Sequence, residues 1–296
     1  LRVAFFGTPE FSVPTLNALA REHEIVVIVA QPDKPAGRGM KLHAPAVAVR
    51  AKELGLPLLQ PAKIRNNEFL GEVGKLAPDA GIVVAYGKIL PAALLQIPKY
   101  GFLNIHASIL PKWRGAAPIQ RAIEAGEAVT GVSIMRVDEE LDHGDVLAID
   151  RLDIGPDDHT PSVAARLSRL GSDALLRVLS DLDHGTATPQ DHTLATYAAK
   201  IDKQEGLVRW SDSAKTIYDR YRAFDPWPGI FTESMKLTEL ALAEGEGEPG
   251  TILRVGDDGV VVACGSGALE LITVQRAGKQ QVAAVELARS GRLGLL

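Results

Sequence analysis

Residues 2–30 read R-V-A-F-F-G-T-P-E-F-S-V-P-T-L-N-A-L-A-R-E-H-E-I-V-V-I-V-A. Arg2–Phe6 is a short apolar and aromatic run, broken by Gly7-Thr8-Pro9. Ser12 is a candidate helix cap, with Pro14 in the first turn of a helix running toward Arg21. Glu24–Ala30 is rich in Ile and Val and ends at Gln31-Pro32. A strand, a helix and a second uniformly apolar strand predict a mostly parallel sheet covered on both faces. The pattern continues with helical spacing over Pro45–Leu54 and with apolar runs at Ala80–Ala85 and Phe102–His106. An open α/β sheet of this kind binds its ligands beyond the carboxyl ends of its strands.

Farther along, Thr130–Val137 and Asp145–Ile154 flank an acidic turn and predict a hairpin-like return. Ser162–Leu182 reads as a long helix with Leu167, Leu170, Ala174, Leu175 and Val178 on one side. Periodicity then fades toward Asp202, and His184-Gly185 and Pro189 suggest a linker. Beyond it, Ser213–Arg222 reads as a helix. Leu237–Ala243, Thr251–Val255, Val260–Cys264 and Leu269–Val274 read as short strands between Gly-rich turns, the pattern of a small β-barrel. The expected organisation is an α/β domain over 1–183, a linker over 184–202 and a barrel domain over 203–296.

The 296 residues are 46% hydrophobic and 23% charged, which excludes disorder, collagen and coiled coil as the main description. A single cysteine, Cys264, forms no intrachain disulfide and sits in a predicted strand, where it reads as core. No apolar run reaches the ~18 residues that span a bilayer, and the first residues lack the character of a signal peptide, so no membrane contact and a cytoplasmic location are expected. The chain opens without Met and closes soon after Gly294, so a missing first residue and a shortened end are also expected.

The 32 Lys and Arg face 37 Asp and Glu, a net charge of −5. Through Asp183 the counts are 20 and 22, and beyond it 12 and 15, so neither part is basic and any nucleic-acid contact must rest on local patches.

Three stretches carry candidate chemistry. In Asn104–Ala117, N-I-H-A-S-I-L-P-K-W-R-G-A-A, Asn104 and His106 share one face of a strand end, where an amide and an imidazole can both donate to a developing oxyanion. The alternative is that the pair only organises the following loop. In Asp138–Asp145, D-E-E-L-D-H-G-D, Glu139 and Glu140 read as a solvated turn, whereas Asp142 is placed to orient an imidazole and pass a proton. His106, Asp142, His143 and Asp145 lack a recognisable metal-ligand spacing, and no metal is expected. Gln31–Leu42, Q-P-D-K-P-A-G-R-G-M-K-L, carries Lys34, Arg38 and Lys41 against Asp33 and could hold a phosphate backbone, or be a plain surface loop. The chain has no G-x-G-x-x-G, no Walker A sequence and no G-x-S-x-G, so dinucleotide and acyl-serine chemistries are disfavoured.

These stretches, with F-G-T-P-E-F (Phe6 to Phe11), V-V-A-Y-G (Val83 to Gly87), G-V-S-I-M (Gly131 to Met135), R-A-F-D-P-W-P-G (Arg222 to Gly229) and P-G-T-I-L (Pro249 to Leu253), resemble the methionyl-tRNA formyltransferase family over nearly the whole chain. The resemblance implies a Rossmann-like formyltransferase domain followed by an OB-like barrel. It implies 10-formyltetrahydrofolate as formyl donor and the α-amine of methionyl initiator tRNA as acceptor. It also implies Asn104, His106 and Asp142 as the catalytic trio and Ser108, Ile109, Leu110 and Pro111 as a folate-associated motif, Ile109 departing from the family's Leu. Lys34, Arg38 and Lys41 would meet the acceptor end of the tRNA. A monomer is expected. The rival readings are a folate-dependent formyltransferase acting on a nucleotide or sugar amine, disfavoured by the cationic loop and the barrel, and a non-catalytic tRNA-binding module, disfavoured by the intact trio.

Overall fold

The computed structural model describes residues 1–36 and 41–294. The chain divides into two compact units, one formed by residues 1–118, 129–153 and 164–198, the other by 119–128, 154–163 and 199–296.

In chain order the elements begin with β1 (Arg2–Gly7), α1 (Val13–Glu22), β2 (Glu24–Val29), β3 (Lys34–Ala36), β4 (Lys41–His43), α2 (Ala46–Glu53), β5 (Leu58–Leu59), α3 (Asn67–Lys75) and β6 (Ala80–Val84). There follow α4 (Ala92–Leu95), β7 (Phe102–His106), β8 (Arg114–Gly115), α5 (Pro118–Glu124), β9 (Val129–Arg136), β10 (Val146–Asp153), α6 (Thr160–Ser180) and β11 (Tyr197–Ala198). The main sheet has seven strands in the order β10-β9-β7-β6-β1-β2-β5. Neighbours from β7 to β5 are parallel, while β9 runs antiparallel to β7 and to β10. The predicted α/β sheet and its hairpin-like return are therefore present. The burial of each strand explains its composition. Phe5, Phe6, Ile28 and Val29 are fully buried, as a doubly covered parallel strand demands, whereas outer β10 exposes Ile149, Arg151 and Asp153 at alternate positions. Phe6 meets the rings of Phe69, Tyr86 and Phe102 edge-on, at centroid distances of 6.5, 5.4 and 5.2 Å.

Two local expectations are corrected. Ser12 does not cap α1 with its side chain; it closes a short 3-10 turn in helical conformation, and its buried hydroxyl donates to the Val84 carbonyl at 2.6 Å. Helix α3 is an element that the sequence pattern does not announce, capped by Asn66, whose side chain accepts from the Phe69 amide at 2.9 Å. The cationic stretch holds the antiparallel pair β3–β4, with Lys34 opposite His43 and Ala36 opposite Lys41. Arg38 and the side chain of Lys41 lie outside the described residues. Most of the stretch expected to be a linker belongs to the first unit: Thr188 bridges Val146, and Tyr197 and Ala198 of β11 pair in parallel with Arg114 and Gly115 of β8.

The second unit contains α7 (Ala214–Ala223), capped by Ser213, then β12 (Ile230–Phe231), β13 (Met235–Ala243), β14 (Ile252–Val255), β15 (Val260–Ala263), β16 (Ala268–Arg276), β17 (Gln281–Ala283) and α8 (Ala284–Arg289). Its strands form an antiparallel sheet ordered β12-β13-β16-β15-β14, with β17 also on β16. Inside this unit Arg222 and Asp219 form a buried ion pair at 2.6 Å, and Arg121 grips Glu205 with two hydrogen bonds. Among the described residues no helix is long and apolar enough to cross a membrane.

Candidate active site

The site forms at the carboxyl end of β7, where period 2 turns Asn104 and His106 to one face. Asp142 joins them from the turn between β9 and β10, in the left-handed region at φ +51°. Its carboxylate is the hub. Oδ1 lies 3.4 Å from Asn104 Nδ2, while Oδ2 accepts from the Gly115 amide at 2.8 Å and stands 3.5 Å from His106 Nδ1. The other imidazole nitrogen, Nε2, meets the Trp113 carbonyl at 2.8 Å. A carbonyl only accepts, so Nε2 carries a proton and Nδ1 faces the carboxylate. His106 is 5% exposed, which confines it to these two partners and to whatever enters from the mouth of the site. The three residues singled out for catalysis are thus brought together.

Close packing positions the turn. A Cβ on Gly144 would stand 2.1 Å from the Arg136 carbonyl oxygen, so only glycine fits two residues after Asp142. Gln190 then clamps the turn from outside: its Nε2 donates to the Asp142 carbonyl at 3.0 Å and to the Gly144 carbonyl at 2.7 Å. Its Oε1 accepts from Nε and Nη2 of buried Arg114 at 3.2 and 2.7 Å. Arg114 Nη2 also donates to His192 Nδ1 at 2.8 Å, and the His192 ring stacks on His143 at 4.0 Å and 3°. The Thr196 hydroxyl accepts from the Trp113 amide at 2.9 Å. Gln190 and His192 escape notice in the sequence because they lie where periodicity fades, and Arg114 because nothing local marks a buried guanidinium.

The Ser108–Pro111 stretch serves the loop's own frame. The Ser108 hydroxyl, fully buried, donates to the Lys112 carbonyl at 2.6 Å. Ser133 Oγ donates to the Ser108 carbonyl at 2.7 Å and accepts from the Leu110 amide at 3.1 Å. Leu110 packs with Met135 and Val146, whereas Ile109 and Pro111 are half-buried. Lys34 is exposed on β3. Lys63, Arg65 and Lys88 border a cavity of about 480 Å³ that follows the carboxyl ends of β5 and β6. Cys264 is buried, and burial pushes its thiol up to about 11, away from nucleophilic use.

The family described as Formyl transferase matches residues 1–179, and the one described as Formyl transferase, C-terminal domain, matches residues 200–292. The chain is 47% identical to the methionyl-tRNA formyltransferase of Thermus thermophilus, over 98% of this chain and 96% of that one. It is also 47% identical to the methionyl-tRNA formyltransferase of Deinococcus radiodurans, over 94% and 89%. An N-formyltransferase from Helicobacter canadensis, solved with folinic acid and dTDP-3-aminofucose, superposes with a TM-score of 0.72 at 13% identity, over 93% of this chain and 99% of that one.

Proposed function

The chain belongs to the methionyl-tRNA formyltransferase family, and from that premise we propose that it moves a formyl group from 10-formyltetrahydrofolate to the α-amino group of methionyl initiator tRNA. The observation that carries this reading is the convergence of Asn104, His106 and Gly115 on the Asp142 carboxylate. The neutral amine attacks the formyl carbon, and the carbonyl oxygen becomes negative. Asn104 has a second amide hydrogen to give that oxygen, and one such donor is worth ~2.7–4 kcal/mol. Asp142 takes the amine proton as the new C–N bond forms, directly or through one water. His106 carries a proton to the folate nitrogen as the old C–N bond breaks, so the amine's proton is balanced by the one on the departing folate. Its Nδ1 faces Asp142, which closes the relay between the two groups.

Ile109, Pro111 and the backbone of the loop are the surfaces open to the folate, since Ser108 and Leu110 point inward. Lys34, Arg38 and Lys41 hold the acceptor end of the RNA by its phosphates. Catalysis belongs to residues 1–183 and further RNA contact to 203–296, and the enzyme acts in the cytoplasm as a monomer. Incubation with 10-formyltetrahydrofolate and methionine-charged initiator or elongator tRNA tests the assignment: initiator alone becomes formylated. Formylation of an amino sugar nucleotide in place of tRNA would overturn it.

A further inference from the structure

We propose that Gln190 is a positioning residue of the formyl transfer, holding the Asp142 carboxylate in register through the backbone, with Arg114 fixing the amide that does so. The inference rests on the assignment of Asp142 to catalysis. Its physical basis is the way this one amide is used up. Two carbonyls, of Asp142 and Gly144, accept from Nε2, and one guanidinium donates twice to Oε1. Carbonyls only accept and guanidinium only donates, so a flipped amide would set four like contacts against it, and a single orientation survives. Gln190 is 8% exposed and Arg114 3%, so water does not replace these bonds at low cost.

The clamp acts on a residue whose conformation the proposed reaction needs. Asp142 is non-glycine at φ +51°, a region that costs energy and persists only where its surroundings over-determine it. Gln190 ties the carbonyls on both sides of His143 and leaves the carboxylate free to face Asn104, His106 and Gly115. The same Arg114 belongs to the loop that supplies the Gly115 amide, so one side chain couples both walls of the hub.

The test uses the full-length chain and two variants. Gln190→Glu keeps the volume and pairs with Arg114, but turns a second oxygen toward two carbonyls; Gln190→Met keeps the volume and removes both donors. Single-turnover formylation should slow by ~10- to 100-fold in each, the cost of a catalytic group set about 1 Å out of place. The KM for folate should stay within about two-fold, because the carboxylate is assigned to proton transfer and not to holding the folate. The distinguishing readout is a double-mutant cycle. In the Asp142→Asn background the Gln190 substitutions should cost little more, because they act through the carboxylate already removed. A wild-type rate in a folded Gln190→Met, or the same fold-loss in both backgrounds, overturns the proposal. If both single variants fail to fold, Gln190 is a stability element and the proposal also falls. Full activity of Asp142→Asn would instead overturn the catalytic assignment itself.

Discussion

His106 donates from Nε2 to the backbone carbonyl of Trp113 across 2.8 Å. Trp113 is itself in the left-handed region at φ +61°. The imidazole therefore does not swing freely, and the nitrogen that faces Asp142 is Nδ1, 3.5 Å from Oδ2. His106→Ala should lower kcat by ~100-fold or more while folate affinity changes little, as for loss of a general acid. Comparing single-turnover rates with folate binding by fluorescence checks this, and an unchanged rate removes His106 from the relay.

Asn104 should behave as an oxyanion donor. Asn104→Ala is expected to cost ~100- to 1,000-fold in kcat. Asn104→Asp keeps the size but sets a carboxylate 3.4 Å from Asp142, and should be at least as damaging. An Asn104→Ala enzyme with a raised KM and an unchanged kcat would mean that the amide only binds substrate.

Gly144→Ala probes the turn without touching a reacting group. The new Cβ would meet the Arg136 carbonyl at 2.1 Å, so β9 and the turn must part. The expected destabilisation is about 1–3 kcal/mol, as for overpacking elsewhere. It should appear both as a lower melting temperature and as a loss of kcat, since Asp142 is carried along.

Alkaline pH should weaken the fold in two stages. Burial pushes the Cys264 thiol from 9.0 up to about 11 and the Tyr86 phenol from 10.0 up to about 12. Below the lower value of each pair both states hold the proton, and no difference arises. Above it the unfolded chain releases its proton while the folded chain keeps it, so stability falls by ~1.4 kcal/mol per pH unit for each group. Cys264→Ala should flatten the decline between about pH 9 and 11 and leave the Tyr86 contribution, measured as denaturant midpoints against pH. An identical slope in both proteins would refute the role of the thiol.

The RNA interaction should be electrostatic and separable from chemistry. Raising salt should raise the KM for charged tRNA and leave the folate KM nearly constant. The paired substitution Lys34→Ala with Arg38→Ala should reduce the salt slope by about one for each phosphate that is no longer neutralised. A salt-independent KM for tRNA would locate recognition elsewhere.

Much of this architecture is legible in the sequence because its determinants are local. Uniformly apolar strands at Arg2–Gly7 and Glu24–Val29 announce a doubly covered sheet, and a two-residue spacing suffices to align Asn104 with His106. Asp142 and Gly144 of L-D-H-G-D mark a turn that needs both. What stays hidden depends on partners far along the chain. Ser12 looks like a cap until the Val84 carbonyl, 72 residues on, claims its hydroxyl. Gln190 resembles any polar residue in an aperiodic stretch, and only partners 48 and 76 residues away give its amide a task. Ser108 is legible as a site residue by resemblance, yet its buried hydroxyl is spent on the loop that contains it.

The pairing of Ala198 with Gly115 has a consequence for the order in which a ribosome makes the molecule. Asn104, His106 and Asp142 are all polymerised well before Gln190, which follows Asp142 by 48 residues. At ~5–20 residues per second, that interval lasts roughly 2–10 s. During it the nascent chain possesses all three of these residues but lacks the strand and the amide that pack around them, so on the proposed assignment catalytic competence arrives with the segment that follows them.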